Sequence, residues 1–152
     1  MSRSASPGED AAELELEFPA KPQYVRMARH TVAALARFRD ADDELVEDIK
    51  LAVSEACTRA VATNAATPQA EPVRVRALVQ DHSLLVDVQD RGPDPERAVS
   101  GPPDEIDTGE LPFDRALAVP LIRGLVDEVA LTPREGGGTS VRMVVSLRPD
   151  RS

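Results

Sequence analysis

Apolar and polar positions change period along the chain, and the changes mark the elements. Leu14, Leu16 and Phe18 alternate with Glu13, Glu15 and Glu17, the period of a strand with one buried face. The same alternation returns over 73–79, 83–89 and 141–147. Asp81 and His82 leave only a short connector between the first two of these, which predicts a hairpin. Elsewhere the period is helical. Val25, Ala28, Val32, Leu35, Ala36 and Phe38 predict a helix over 24–39. Asp40 to Asp43 form an acidic break rich in N-cap residues. A second helix is expected from 43 to 65, with Ile49, Ala52, Val53, Ala56 and Ala60 on one apolar stripe.

From 90 to 112 the chain is rich in Pro, Gly and acid, with little periodicity. A loop this long in so small a domain is usually functional or disordered. A helix over 115–126, with Pro120 inside it, a strand beginning at 127–131, a Gly-rich turn at 134–139 and a closing strand complete the order. Strand, two helices, hairpin, loop, helix and hairpin give an α+β fold: a two-layer sandwich with a mostly antiparallel sheet and helices on one face. Residues 1–12 read as a disordered tail, 13–148 as the domain and 149–152 as a second tail. Val25, Met27, Val32 and Leu35 are many apolar residues for one side of a sheet. They motivate a homodimer through the first helix and first strand, the alternative being that all pack in the monomer core.

Composition narrows the partners. At 152 residues and 41% hydrophobic, the chain suits one domain with its own core. Aromatics are only 3%, so the core is aliphatic and base-stacking surfaces are scarce. A net charge of -9 argues against nucleic acid and anionic membrane as partners. Cys57 is the sole cysteine, so neither an intrachain disulfide nor a Cys-based zinc site is available. On the second helix it reads as a small buried hydrophobe. His30 and His82 have no motif around them. No apolar run has signal-peptide or bilayer-spanning length, and a cytoplasmic protein is expected.

The chemistry centres on the second helix. Glu55 and Arg59 stand four apart, so they lie one turn from each other. That spacing suits a general base beside a ligand anchor, and equally a plain exposed ion pair on an amphipathic helix. Three further segments follow in order: Val88-Gln89-Asp90-Arg91-Gly92-Pro93, Leu121 to Val129, and Gly137-Gly138-Thr139-Ser140-Val141. Together with 54–61 they closely resemble the bacterial anti-sigma regulatory kinases of the RsbW/SpoIIAB type, within the histidine-kinase-like (GHKL) ATPases, over residues 13–147.

The resemblance implies roles. Glu55 would be the general base, and Asp90 would accept a hydrogen bond from the adenine amino group. Gly92 would let the backbone pass close to the base, with Gly138 and Thr139 bordering it. Residues 93–115 would form the ATP lid. Members of the family bind a sigma factor as dimers and phosphorylate a serine on a STAS-domain antagonist. An Arg on the first helix, here Arg26, contacts both partners; Pro22 and His30 offer it no acidic i,i+4 partner.

Two departures bear on activity. The family's metal-holding Asn is replaced by Arg59, whose guanidinium offers Mg²⁺ no oxygen. Asn64, nine residues from Glu55, is half a turn out of phase and cannot substitute. The family's lid glycines stand here as Ala116 and Ala118, and Asp94 stands where Gly is common. ATP or ADP would then bind weakly, and Mg²⁺ binding is doubtful, with the adenine end kept and the phosphate end altered. Arg59 could pair with Glu55, or reach the phosphates itself, or border an empty pocket. Three functions follow: an anti-sigma factor that sequesters a sigma factor and is released by its STAS antagonist, with a degenerate nucleotide site; an ATP-dependent serine kinase acting on that antagonist; or an adaptor binding only the antagonist.

Overall fold

The computed structural model describes residues 12–66, 70–91 and 121–147. Strand β1 (Ala12–Phe18) leads through a 3-10 turn (Pro22–Tyr24) into α1 (Val25–Phe38) and α2 (Asp43–Ala65). Then come β2 (Val73–Gln80), β3 (Ser83–Gln89), β4 (Glu128–Pro133) and β5 (Thr139–Ser146). The five strands form one sheet in the order β1-β2-β3-β5-β4, with every neighbouring pair antiparallel. The expected α+β sandwich is therefore present.

Alternation decides which sheet face is covered. Val73, Val75, Ala77 and Val79 of β2, Leu84, Val86 and Val88 of β3, and Val141, Met143 and Val145 of β5 are all buried. They meet Val32, Ala33 and Ala36 of α1 and Val46, Ile49, Val53 and Ala56 of α2 in one core. The other sheet face carries ion pairs between neighbouring strands, Arg76 with Glu13 and Arg74 with Glu15 and Glu17, each at 3.6 Å and about half exposed. Such solvated pairs contribute little to stability. They do keep β1, an edge strand, charged on its open face.

The helix junction is built from local chemistry. Arg37 and Ala36 carbonyls accept from the Asp40 and Ala41 amides, and Asp40 has φ 66°, a left-handed C-terminal cap. Asp42 then caps α2, its side chain accepting from Leu45 N at 2.8 Å, an interaction that stabilises a helix by ~1 kcal/mol. The sequence reading of this break holds.

Two expectations change. Val25 and Val32 are buried in the monomer and Leu35 packs on its core, while Met27 remains 42% exposed. The apolar residues that motivated a dimer face on α1 are thus largely consumed by the monomer's own core. The helix expected to reach 126 ends earlier: among the described residues only 121–123 are helical, and the chain turns at Gly124. Arg115 to Pro120, Gly92, the loop 93–115, Ala116 and Ala118 lie outside the described residues.

Candidate functional site

The strand ends nearest the second half of α2 converge on Asp90, one residue beyond β3. Its amide donates to the Thr139 carbonyl at 2.9 Å. Its Oδ1 accepts from Thr139 N at 3.1 Å. Its own carbonyl accepts from Arg134 Nη1 at 2.7 Å. These bonds tie the end of β3 to the start of β5 and to the turn before it.

That turn requires glycine at one position above all. Gly138 has φ +101°, and a Cβ there would stand 2.1 Å from the Asp90 carbonyl oxygen and 2.9 Å from Arg91 Cα. The backbones of the turn and of Asp90 can meet only because no side chain intervenes.

Asp90 Oδ2 is taken as well, by Arg59. Nη1 of Arg59 donates to it at 2.9 Å, and the two side chains are 4% and 1% exposed. Arg59 is therefore neither an exposed helix charge nor the partner of Glu55. Its guanidinium is bonded to Asp90 and not to Glu55, because a buried cation needs a buried anion. Glu55 is half-buried and makes no hydrogen bond or ion pair among the described residues.

Asn64 proves to be structural. It is fully buried; its Oδ1 accepts from Arg91 N at 2.8 Å, and its Nδ2 donates to the carbonyls of Glu71 and Pro72 at 2.7 and 3.1 Å. It pins the Asp90–Arg91 turn and the approach to β2 onto α2. It stands away from the Glu55 side, as its phase required. The signal for this role was available: Asn64 follows Ala60 by one turn on the apolar stripe, so a polar residue there had to find buried partners.

Two buried hydroxyls near the same end, Thr63 Oγ1 and Thr139 Oγ1, have no hydrogen-bond partner among the described residues. A small polar ligand or water beside Asp90 would satisfy Thr139. Magnesium fits less well. The guanidinium of Arg59 has no lone pair to give a metal ion. Cys57 is buried at 0% exposure, and burial pushes its thiol up to about 12, so it serves as core.

Arg26 lies exposed on α1. The helix carries Arg26, Arg29, His30 and Arg37 and no acidic residue. Desolvation, and then the charges of Lys50, Arg29, Arg26 and Arg37, lower the His30 imidazole below its ordinary range.

A sequence profile for the Histidine kinase-like ATPase domain matches residues 18–145. The chain belongs to this family. Within it, the chain is 33% identical over 144 residues to the Serine-protein kinase RsbW of Bacillus pumilus (strain SAFR-032), covering 91% of this chain and 88% of the relative. It is 33% identical over 142 residues to an Anti-sigma F factor of Caldanaerobacter subterraneus subsp. tengcongensis, covering 91% and 96%. The chain is thus a histidine-kinase-like ATPase domain of the RsbW and anti-sigma F type. The fold also matches the crystal structure of the RsbU and RsbW domains of Rv1364c from Mycobacterium tuberculosis, with TM-score 0.67 and 22% identity, over 92% of this chain and 34% of that longer chain. A second match is the SiaB-SiaC complex from Pseudomonas aeruginosa, with TM-score 0.63 and 14% identity, over 87% and 88%. These two likenesses speak to the fold alone.

Proposed function

We propose that this chain is an anti-sigma factor that works by direct contact: it sequesters an alternative sigma factor and is released when a STAS-domain antagonist takes the same surface. Nucleotide plays little part in this reading. The observation that carries it is the buried Arg59–Asp90 ion pair. In the family that Asp accepts a hydrogen bond from the adenine amino group, and here an N–H of Arg59 already donates to its Oδ2. Oδ1 and Oδ2 of Asp90 each already accept a hydrogen bond, so adenine would share an oxygen with Arg59 or displace it, and displacement leaves a buried charge unpaired at a cost of ~3–5 kcal/mol. At 1.4 kcal/mol per decade, displacement weakens ATP or ADP roughly a hundred- to a few-thousand-fold.

Phosphoryl transfer relies on positioning and on metal charge. Arg59 supplies no ligand for Mg²⁺ in place of the family's Asn. Glu55 would keep the place of the general base with little to act on. Arg26 remains the proposed partner contact, on a helix whose cations suit an acidic partner surface and would speed encounter. A homodimer is proposed from the family pattern, without the apolar α1 face first expected to support it. A cytoplasmic setting fits such partners, and among the described residues no helix is long and apolar enough to cross a membrane.

The kinase reading keeps one observation in its favour: the unpartnered Thr139 Oγ1 beside Asp90 leaves a hydroxyl for a ligand. Capture of partners from the native host decides between the functions. Co-purification of a sigma factor, released by the STAS antagonist without ATP, supports sequestration. Capture of the antagonist alone favours the adaptor. Efficient Mg²⁺-dependent phosphorylation of the antagonist by the wild type would overturn the proposal in favour of the kinase.

A further inference from the structure

On the sheet face away from the helices, three arginines meet at one corner. β2 contributes Arg74, which lies opposite Gln89 in β3 and opposite Glu17 in β1. Alternation carries Arg91, two residues beyond Gln89, to the same side. Arg134 enters from the turn after β4. These arginines, with Glu17, Glu71 and Gln89, line a cavity of about 90 Å³.

The arginines are unequally engaged. Arg134 spends Nη1 on the Asp90 carbonyl. Arg74 reaches Glu15 and Glu17 only at 3.6 Å. The Arg91 guanidinium makes no hydrogen bond or ion pair among the described residues, and its Nη1 lies beside the turn, 3.7 Å from where a Cβ on Gly136 would be. Partial desolvation and the neighbouring Arg91 and Arg74 charges push the Arg134 guanidinium below its ordinary range, against the pull of Asp90 and Asp87. Glu15 and Glu17 already meet the Arg74 charge, while Arg91 and Arg134 make no salt bridge among the described residues, so an anion between these two relieves their mutual repulsion.

We propose that this corner is a binding site for a small tetrahedral oxyanion of the phosphate class, separate from the Asp90–Arg59 site on the other side of the β3 end. Guanidinium forks match such oxygens two at a time. Size sets the class. A cavity of about 90 Å³ equals the share of roughly three liquid waters. It is well below the ~300 Å³ at which cofactor pockets begin. Glu17, whose side chain is 54% exposed, and the exposed Glu71 swing outward when the anion enters.

The test uses the full chain in chloride buffer, titrated with inorganic phosphate at constant ionic strength and followed by calorimetry and thermal shift. A saturable rise in melting temperature is expected. Arg91→Gln and Arg134→Gln should each weaken apparent affinity about tenfold, the value of one charge-assisted bond. Arg76→Gln, on the same sheet face but outside the cavity, should leave it unchanged. O-phosphoserine in a parallel titration separates the sources: tighter binding than phosphate indicates a phosphoryl group carried on a protein, and weaker binding indicates the free anion. If Arg134→Gln does not fold because Asp90 loses its donor, Arg91→Gln decides alone. No saturable shift with either probe, or equal affinity in wild type and Arg91→Gln, overturns the proposal.

Discussion

Single residues hold the Asp90 corner together, and each fails in its own way. Gly138→Ala places a Cβ against the Asp90 carbonyl and keeps a left-handed backbone that alanine disfavours. The expected loss is about 2 kcal/mol or more, read as a lower urea midpoint with unchanged slope. Gly137, with nothing within 4 Å of a new Cβ, should lose less on the same change, the φ penalty alone. His30 makes the second residue-scale prediction. Desolvation and then Lys50, Arg29, Arg26 and Arg37 lower its folded pKa below the unfolded value. The folded state therefore binds the proton less readily. Its contribution to stability is present above about pH 6.5 and is lost as pH falls through the lowered folded value. Melting temperatures of wild type and His30→Gln should agree near neutrality, with the wild type falling more steeply into mild acid. Parallel curves would contradict this.

At the scale of elements, the β2–β3 hairpin shows what alternation can and cannot tell. Its strands were legible because Val73, Val75 and Ala77 alternate with Arg74 and Arg76. The turn was legible only as short. Asp81 and His82 both take positive φ, 55° and 66°, the backbone of a two-residue type I′ turn that favours Asn-Gly. Replacing the pair by Asn-Gly should raise the melting temperature, by up to about 1 kcal/mol of stability; no gain would mean that the Leu147 amide bond to the His82 carbonyl depends on the native pair. The site was half legible. Segment order put Asp90, Gly138 and Thr139 in one group, and the structure brings these three side by side. The partner of Arg59 was missed because i,i+4 reasoning sees only one helix, while Asp90 is 31 residues away. The hint lay in phase: Arg59 stands seven residues after Ala52, two turns along the buried side. Helical phase keeps Asn64 from the metal position, and its burial commits it to the Asp90–Arg91 turn.

Across the whole molecule, charge is sorted by surface. The α1 helix is purely basic, β1 presents a row of glutamates, and the arginine corner lies between β1 and the last turn. An acidic chain that gathers cations on one helix is suited to contact an acidic partner while repelling nucleic acid elsewhere. The proposed function depends on the Arg59–Asp90 pair having taken over the place of nucleotide. The most direct measurement is isothermal calorimetry of ATP, with and without Mg²⁺, on wild type and Arg59→Asn, with thermal melts confirming that both are folded. Expected is ATP binding by the wild type at least about a hundredfold weaker than by Arg59→Asn, with Mg²⁺ enhancing binding only in Arg59→Asn. Mg²⁺-dependent binding by the wild type, equal to or tighter than that of Arg59→Asn, would contradict it.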